Sequence, residues 1–382
     1  MVSVAAANLS RLKRLAPRLI QLATLVLFMA LPLTAVCSSF LTGRTTRPAR
    51  SDFQHAVDGT GVRAFWPVME ALQRDREPSD DAWGALFATP GYAKLQPAYV
   101  KRTLRLAYMP AKSEELRTAL HQGDYYSRVL THLVRVPEER ERILHFLSSF
   151  NAAKTLGAAR QEAAAYLPKG ATDARRLPLV AFVIVEPDGH VDDDVVVFDV
   201  LYAIDRGADF VDILAHEFHH YYEPSRLQAP PADSADYYIV HTVKQVQMEG
   251  TADLIDKKAY PLHADPQRQW YVDQYNAAYA DAPNTLRHLD ELLSAAASAQ
   301  ERAVAGKQFW GALKFAGHPT GFYMANTILK YLGKPALIAA EPDPFEFFSV
   351  YNDAAKRCTT ECYVLSDSSM AALAKLESEY IR

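Results

Sequence analysis

The stretch Asp209-Phe210-Val211-Asp212-Ile213-Leu214-Ala215-His216-Glu217-Phe218-His219-His220-Tyr221-Tyr222 decides the fold class. Val211, Leu214, Ala215, Phe218 and Tyr222 recur at helical spacing, which predicts an amphipathic helix with one buried stripe. Asp209 is placed to cap it, Asp212 sits near its positive end, and Pro224 stops it. Upstream, Leu177–Val185 is a β-type run closed by Pro187-Asp188-Gly189. A second such run, Val195–Ile204, follows the acidic turn Asp192-Asp193-Asp194, which reads as solvated rather than as a calcium site. The two runs predict a hairpin or short sheet beside the helix. Elsewhere the periodicity is helical, at 61–74, 98–121 and 138–166 and, after Pro230-Pro231, at 235–258, 265–281, 284–305, 319–332, 343–356 and 367–381. Phe65, Trp66, Trp83, Phe87 and Tyr92 read as core. The expected class is therefore α+β, predominantly helical. A helical N-terminal region (53–170) adjoins a second region (171–382), with the turn at 167–176 as the boundary.

His216-Glu217-Phe218-His219-His220 is an H-E-x-x-H pattern. Residues four apart stand one above the other on a helix, so His216 and His220 can converge on one ion. Glu217, one residue round, can reach a metal-bound water without entering the coordination sphere. His219 points elsewhere and reads as a surface or outer residue. A catalytic zinc takes three protein ligands, and Tyr221-Tyr222-Glu223-Pro224-Ser225-Arg226 offers no further histidine nearby. The better source is Glu249. It lies four residues before Asp253, so the two share one helix face. Such acidic pairs also occur on solvated faces; beside the histidine motif, the pair suits a ligand with Asp253 accepting from the outer nitrogen of His216. Gly250, lacking a side chain, would let these two helices approach closely.

On these residues, H-E-x-x-H at 216–220 followed by Glu249-Gly250-Thr251-Ala252-Asp253 on the next helix, the chain resembles the gluzincin clan of zinc metallopeptidases, of which thermolysin is a representative type. More narrowly, it resembles a family of uncharacterised bacterial zinc-dependent peptidases. The motif likeness covers residues 205–256, with looser similarity at Trp83–Tyr92 and Gly317–Gly333. The gap from His220 to Glu249 is longer than in thermolysin-type enzymes, so the likeness does not extend to the loop between them. The resemblance implies a zincin-like catalytic region within 171–382, Zn2+ as cofactor, Glu249 as third ligand and Asp253 behind His216. It implies a peptide or protein substrate, cleaved by a zinc-activated water with Glu217 as general base. Gluzincins stabilise the oxyanion with a tyrosine or histidine from a later helix, which makes Tyr323 the first candidate and His318 the second. The strand at 195–204 is the expected edge for an extended substrate. Two other readings stay open: a zinc hydrolase of a non-peptide amide or ester, and an exported binding or scaffold protein with a structural or vestigial metal site. An intact Glu217 speaks against the latter.

The chain has 382 residues and a formal charge of -4, without the basic balance of a nucleic-acid binder. Arg11, Lys13, Arg14 and Arg18 precede an apolar run from Leu19 to Val36 and a small-residue exit at Ala35-Val36-Cys37-Ser38-Ser39. Residues 1–37 thus read as a signal peptide or a retained N-terminal anchor, with a lipid on Cys37 as a third option that Val36 fits poorly. Residues 38–52 form a linker. The expectation is an exported protein (periplasmic, extracellular or membrane-anchored), with membrane association through its N-terminus if that segment is retained. In an oxidising compartment Cys358 and Cys362 would close a small loop as a disulfide, the alternative being two free thiols.

Overall fold

The computed structural model describes residues 53–382 apart from 54, 266–267, 297 and 359–361. The predicted export segment and linker lie outside the described residues. A short strand β1 (Val57–Asp58) leads into seven helices: α1 (Thr60–Gln73), α2 (Asp80–Phe87), α3 (Pro97–Tyr108), α4 (Ser113–Leu120), α5 (Tyr125–Arg135), α6 (Arg140–Ser149) and α7 (Ala152–Ala164). The expected helices at 98–121 and 138–166 are each broken in two, at Met109-Pro110 and at Phe150-Asn151. Proline removes a backbone donor in the first case, and the Asn151 side chain starts a new helix in the second.

Strands β2 (Leu179–Val183), β3 (Gly189–Asp192) and β4 (Val195–Asp199) complete a four-stranded sheet in the order β1-β2-β4-β3. β2 runs parallel to both β1 and β4, while β3 is antiparallel to β4. The two β-type runs are therefore parallel neighbours and not a hairpin; the hairpin is β3–β4, turning through the acidic triplet. That turn is ion-paired, Lys94 to Asp192 and Asp193 and Arg176 to Asp194. β4 ends five residues early. Asp199 caps the helix α8 (Val200–Arg206) through Tyr202 N and also accepts from His132 and from Val185 N. β4 is buried along its whole length, which is why its sequence is continuously apolar. It lies inside the sheet, whose edge strands are β1 and β3.

The H-E-x-x-H helix, α9 (Phe210–Tyr222), is followed by α10 (Tyr237–Asp256), α11 (Gln269–Ala280), α12 (Ala282–Ala295), α13 (Ala299–Ala312), α14 (His318–Tyr331), α15 (Lys334–Ala340), α16 (Pro344–Arg357) and α17 (Asp367–Tyr380). The helix expected over 284–305 is two helices, the second opened by a Ser298–Glu301 capping box. Asp209 makes no capping bond; a single 3-10 turn leads into α9 instead. No described helix is long and apolar enough to cross a membrane.

Two hydrophobic cores organise these elements. The first gathers the sheet, α1–α9 and Ile255, while the second is built from α10 to α17. In the first, Phe146, Phe150, Phe182, Phe198 and Phe210 interlock with ring centroids 5.0–6.4 Å apart. Phe210, the first residue of α9, is thereby pinned to the sheet, which fixes where the histidine helix starts. Aromatic contacts of this kind add about 0.5–1.5 kcal/mol each beyond area burial.

Candidate metal centre

Helix α9 delivers His216, Glu217 and His220 from the rim of the first core. His216 is 5% exposed and Glu217 7% exposed. The His216 and His220 Nε2 atoms stand 2.9 Å apart, and both reach Glu249 Oε2, at 3.2 and 3.1 Å. Zinc bonds of about 2.0–2.2 Å place tetrahedral ligand atoms roughly 3.3–3.6 Å apart, so a few tenths of an ångström of expansion seats the ion. The donor set suits it chemically as well. The His216 Nδ1–H donates to Asp256 Oδ1 at 3.1 Å, which turns the Nε2 lone pair inward. Gln245 donates to the other oxygen of Glu249 at 2.6 Å and so aims Oε2 at the histidines.

The second half of the centre depends on a helix crossing. A Cβ on Gly250 would fall 2.2 Å from the Gly321 carbonyl carbon, and one on Gly321 would fall 2.0 Å from the Val246 carbonyl oxygen. Only two glycines permit α10 and α14 to cross so closely. Gly250 therefore serves the α10–α14 contact and not, as expected from the sequence, the approach of α9 to α10. The crossing carries His318, at the start of α14, into the cluster. Its Nε2 lies 3.2 Å from Glu249 Oε2, its Nδ1 donates to Asp253 Oδ1 at 3.0 Å, and its ring stacks on His216. With 26% of its side chain exposed, it is open to a bound molecule.

The expected partner of His216 shifts by one turn. Asp253 Oδ1 is 3.5 Å from His216 Nδ1, while Asp256 takes the hydrogen bond. Asp253 is fully buried and accepts instead from His318 and Tyr275. Glu249, Asp253 and Asp256 follow the i, i+4, i+7 pattern of one helix face, so Asp256 was within reach of the same spacing argument that identified Asp253. Tyr323 is placed elsewhere: its half-buried ring packs on Tyr279 and Tyr351 in the second core. His219 is fully buried, not at the surface, with Nε2 3.3 Å from Glu341 Oε1. Sequence offered no sign of that pairing, because Glu341 lies 122 positions further along the chain. Cys358 and Cys362 form the expected disulfide.

The local electrostatics are those of a cation site. Burial disfavours the His216 imidazolium, but the Asp256 and Glu249 carboxylates outweigh it and lift its pKa well above the usual range. Burial likewise opposes ionisation of Glu249, yet His318 and His220 hold it well below the ordinary carboxylate value. His318 is pushed down by burial and raised overall by Glu249 and Asp253. Glu217 differs from the other carboxylate: burial raises it, and His216 and His220 offset this only in part.

A family model described as "Putative zinc dependent peptidase (DUF5700)" matches residues 83–359, a span that contains the cluster entirely. No curated protein and no solved structure matches the chain.

Proposed function

The chain belongs to this DUF5700 family, and from that premise we propose that it is an exported metallopeptidase of gluzincin type hydrolysing peptide bonds. The observation that carries the reading is the convergence of His216 Nε2, His220 Nε2 and Glu249 Oε2 within 3.2 Å of one another beside a buried Glu217. These three side chains would hold Zn2+, which when bound polarises a carbonyl and brings a water's pKa towards about 7. Glu217 accepts the proton of the attacking water and passes it to the leaving amine. Its raised pKa brings the carboxylate nearer the neutral range, where such a shuttle is most effective. His318, whose Nδ1–H is held by Asp253 and whose Nε2 stands beside Glu249 at the rim of the cluster, is the group placed to donate to the developing oxyanion. Tyr323 has no role at the reacting atoms in this reading. The antiparallel edge strand β3, which packs beside α9, is the strand along which an extended peptide would add. The disulfide supports an oxidising compartment.

The test uses full-length protein assayed for zinc and for cleavage of quenched peptides, with amide and ester panels alongside. Glu217→Gln is expected to keep its zinc and lose about 10²–10⁴-fold in kcat. His318→Ala is expected to lose about 10²–10³-fold with zinc retained. Wild-type protein that binds zinc and cleaves only the non-peptide panel would replace the peptide substrate with a small amide or ester.

A further inference from the structure

We infer that Lys257 is a positioning residue of this centre, one ammonium that sets the two carboxylates aiming His216 and His318. The inference rests on the metallopeptidase reading and adds a residue that neither the motif nor the family model singles out. Its starting point is a second constellation beside the first. His216, Asp253 and His318 also bring ligand-type atoms within 4.8 Å of one another, the spacing of a further cation site. A cation is already there. The Lys257 Nζ lies 3.2 Å from Asp253 Oδ1 and is hydrogen-bonded to Asp256 Oδ2.

The arrangement follows from helix geometry. Lys257 is four residues after Asp253 and adjacent to Asp256, at the C-terminal end of α10, where the helix dipole favours a positive charge. Its side chain is 13% exposed and its ammonium stands 5.9 Å from the centre of the Tyr275 ring, whose hydroxyl donates to Asp253. Asp253 thus accepts from His318, Tyr275 and Lys257, and Asp256 from His216 and Lys257. Two buried carboxylates on one helix face repel each other, and buried charges persist only when paired. The lysine supplies the pairing for both and links the orientation of a metal-ligating imidazole to that of the oxyanion-facing one. It touches neither substrate nor metal ligand, so its action is through the two aspartates.

The experiment compares full-length wild type, Lys257→Met, Lys257→Arg and the charge-balanced double variant Lys257→Gln/Asp253→Asn. Zinc Kd is measured by chelator competition, kcat and KM with a quenched peptide, and thermal unfolding on metal-free protein. Lys257→Met is expected to weaken zinc binding by about 10- to 100-fold, as loss of an outer partner does, and to lower kcat of the zinc-loaded protein with KM little changed. Lys257→Arg is expected to recover most of both. The double variant should fold even if Lys257→Met does not, and still bind zinc weakly, because Asp256 has lost its second partner. Wild-type zinc affinity and kcat in Lys257→Met, or in the double variant, would overturn the inference while leaving the metallopeptidase reading intact. A wild type that neither binds zinc nor cleaves peptides would overturn both.

Discussion

The candidate metal centre draws its residues from two regions built on different plans. The first wraps nine helices around a four-stranded sheet and contributes His216, Glu217 and His220 from one continuous helix. The second is built from helices, with no strand among its described residues beyond an isolated Leu227–Ile381 bridge, and contributes Glu249, Asp253 and Asp256 from α10 and His318 from α14. In the first, spacing along one helix is enough to bring the groups together. In the second, the three carboxylates share one face of α10, and His318 meets them only because two glycines let α10 and α14 cross with their backbones in contact. The proposed general base Glu217 thus sits where local structure guarantees its place, and the proposed oxyanion donor His318 sits where tertiary packing must supply it.

The largest expected effect tests whether the two regions share the ion equally. His220→Ala and Glu249→Ala, one from each, are both expected to weaken zinc binding by more than the roughly 100-fold that marks the upper end for an outer partner. Metal content by mass spectrometry is the measurement. Zinc retained in Glu249→Ala alone would break the symmetry and move the third ligand to Asp253 or His318.

The carboxyls of α10 and the buried Glu186 are held in opposite ways. In the second, histidines and Lys257 pull Glu249, Asp253 and Asp256 down. In the first, Glu186, 5% exposed in the loop after β2, is pushed up to about 8 by burial, with Asp188 adding to it. The Tyr99 and Tyr125 hydroxyls at 3.3 Å compensate only partly. A carboxyl whose folded pKa exceeds its unfolded value of 4.5 binds more protons in the folded state between those two values. Its contribution to stability is therefore full below pH 4.5 and lost as pH rises through about 8. The loss amounts to on the order of 3–5 kcal/mol. Denaturant melts from pH 5 to 9 should show Glu186→Gln flattening this decline; an unchanged slope would assign it to other groups.

What was legible in the sequence follows the same division. The class, the isolated sheet and the helices of the second region could be read from periodicity, with α10, α11, α14, α16 and α17 beginning and ending within a few residues of expectation. His216 and His220 needed only the i, i+4 rule. The partner of His216 did not follow, because two aspartates one turn apart compete for a single Nδ1 and packing decides between them. His219 was misplaced for a related reason: α9 is buried on more than its apolar stripe, and a histidine opposite a distant glutamate leaves no periodic signature. Glycine at 250 was noticed but matched to the wrong helix, since a missing side chain shows that something comes close without showing what. The crossing can be tested against a glycine of the first region. Gly321→Ala is expected to cost about 1–3 kcal/mol or more through overpacking. Gly84→Ala, with nothing within 4 Å of the added carbon, should gain up to about 1 kcal/mol from helix propensity. Equal melting temperatures for the two would remove the glycine crossing as the device that places His318.

The smallest expected effect bears on α14 itself, which presents both candidates for the oxyanion donor. The side chains at 318 and 323 leave the helix in different directions, because five residues advance the helix by about 500°, or 140° beyond a full turn. His318 faces α10 and its carboxylates, and Tyr323 faces the aromatic interior with Tyr279 and Tyr351. Tyr323→Phe keeps the ring and removes the hydroxyl, so it is expected to leave kcat within about 2-fold and to cost about 1 kcal/mol for a lost hydrogen bond. A 10²-fold fall in kcat with unchanged zinc content, the size of a lost oxyanion donor, would instead require α14 to turn its tyrosine face to the metal centre when substrate binds. Such a rotation would carry His318 away from Asp253, and His318→Ala would then be nearly silent. The pair of single substitutions therefore decides which face of α14 serves the reaction.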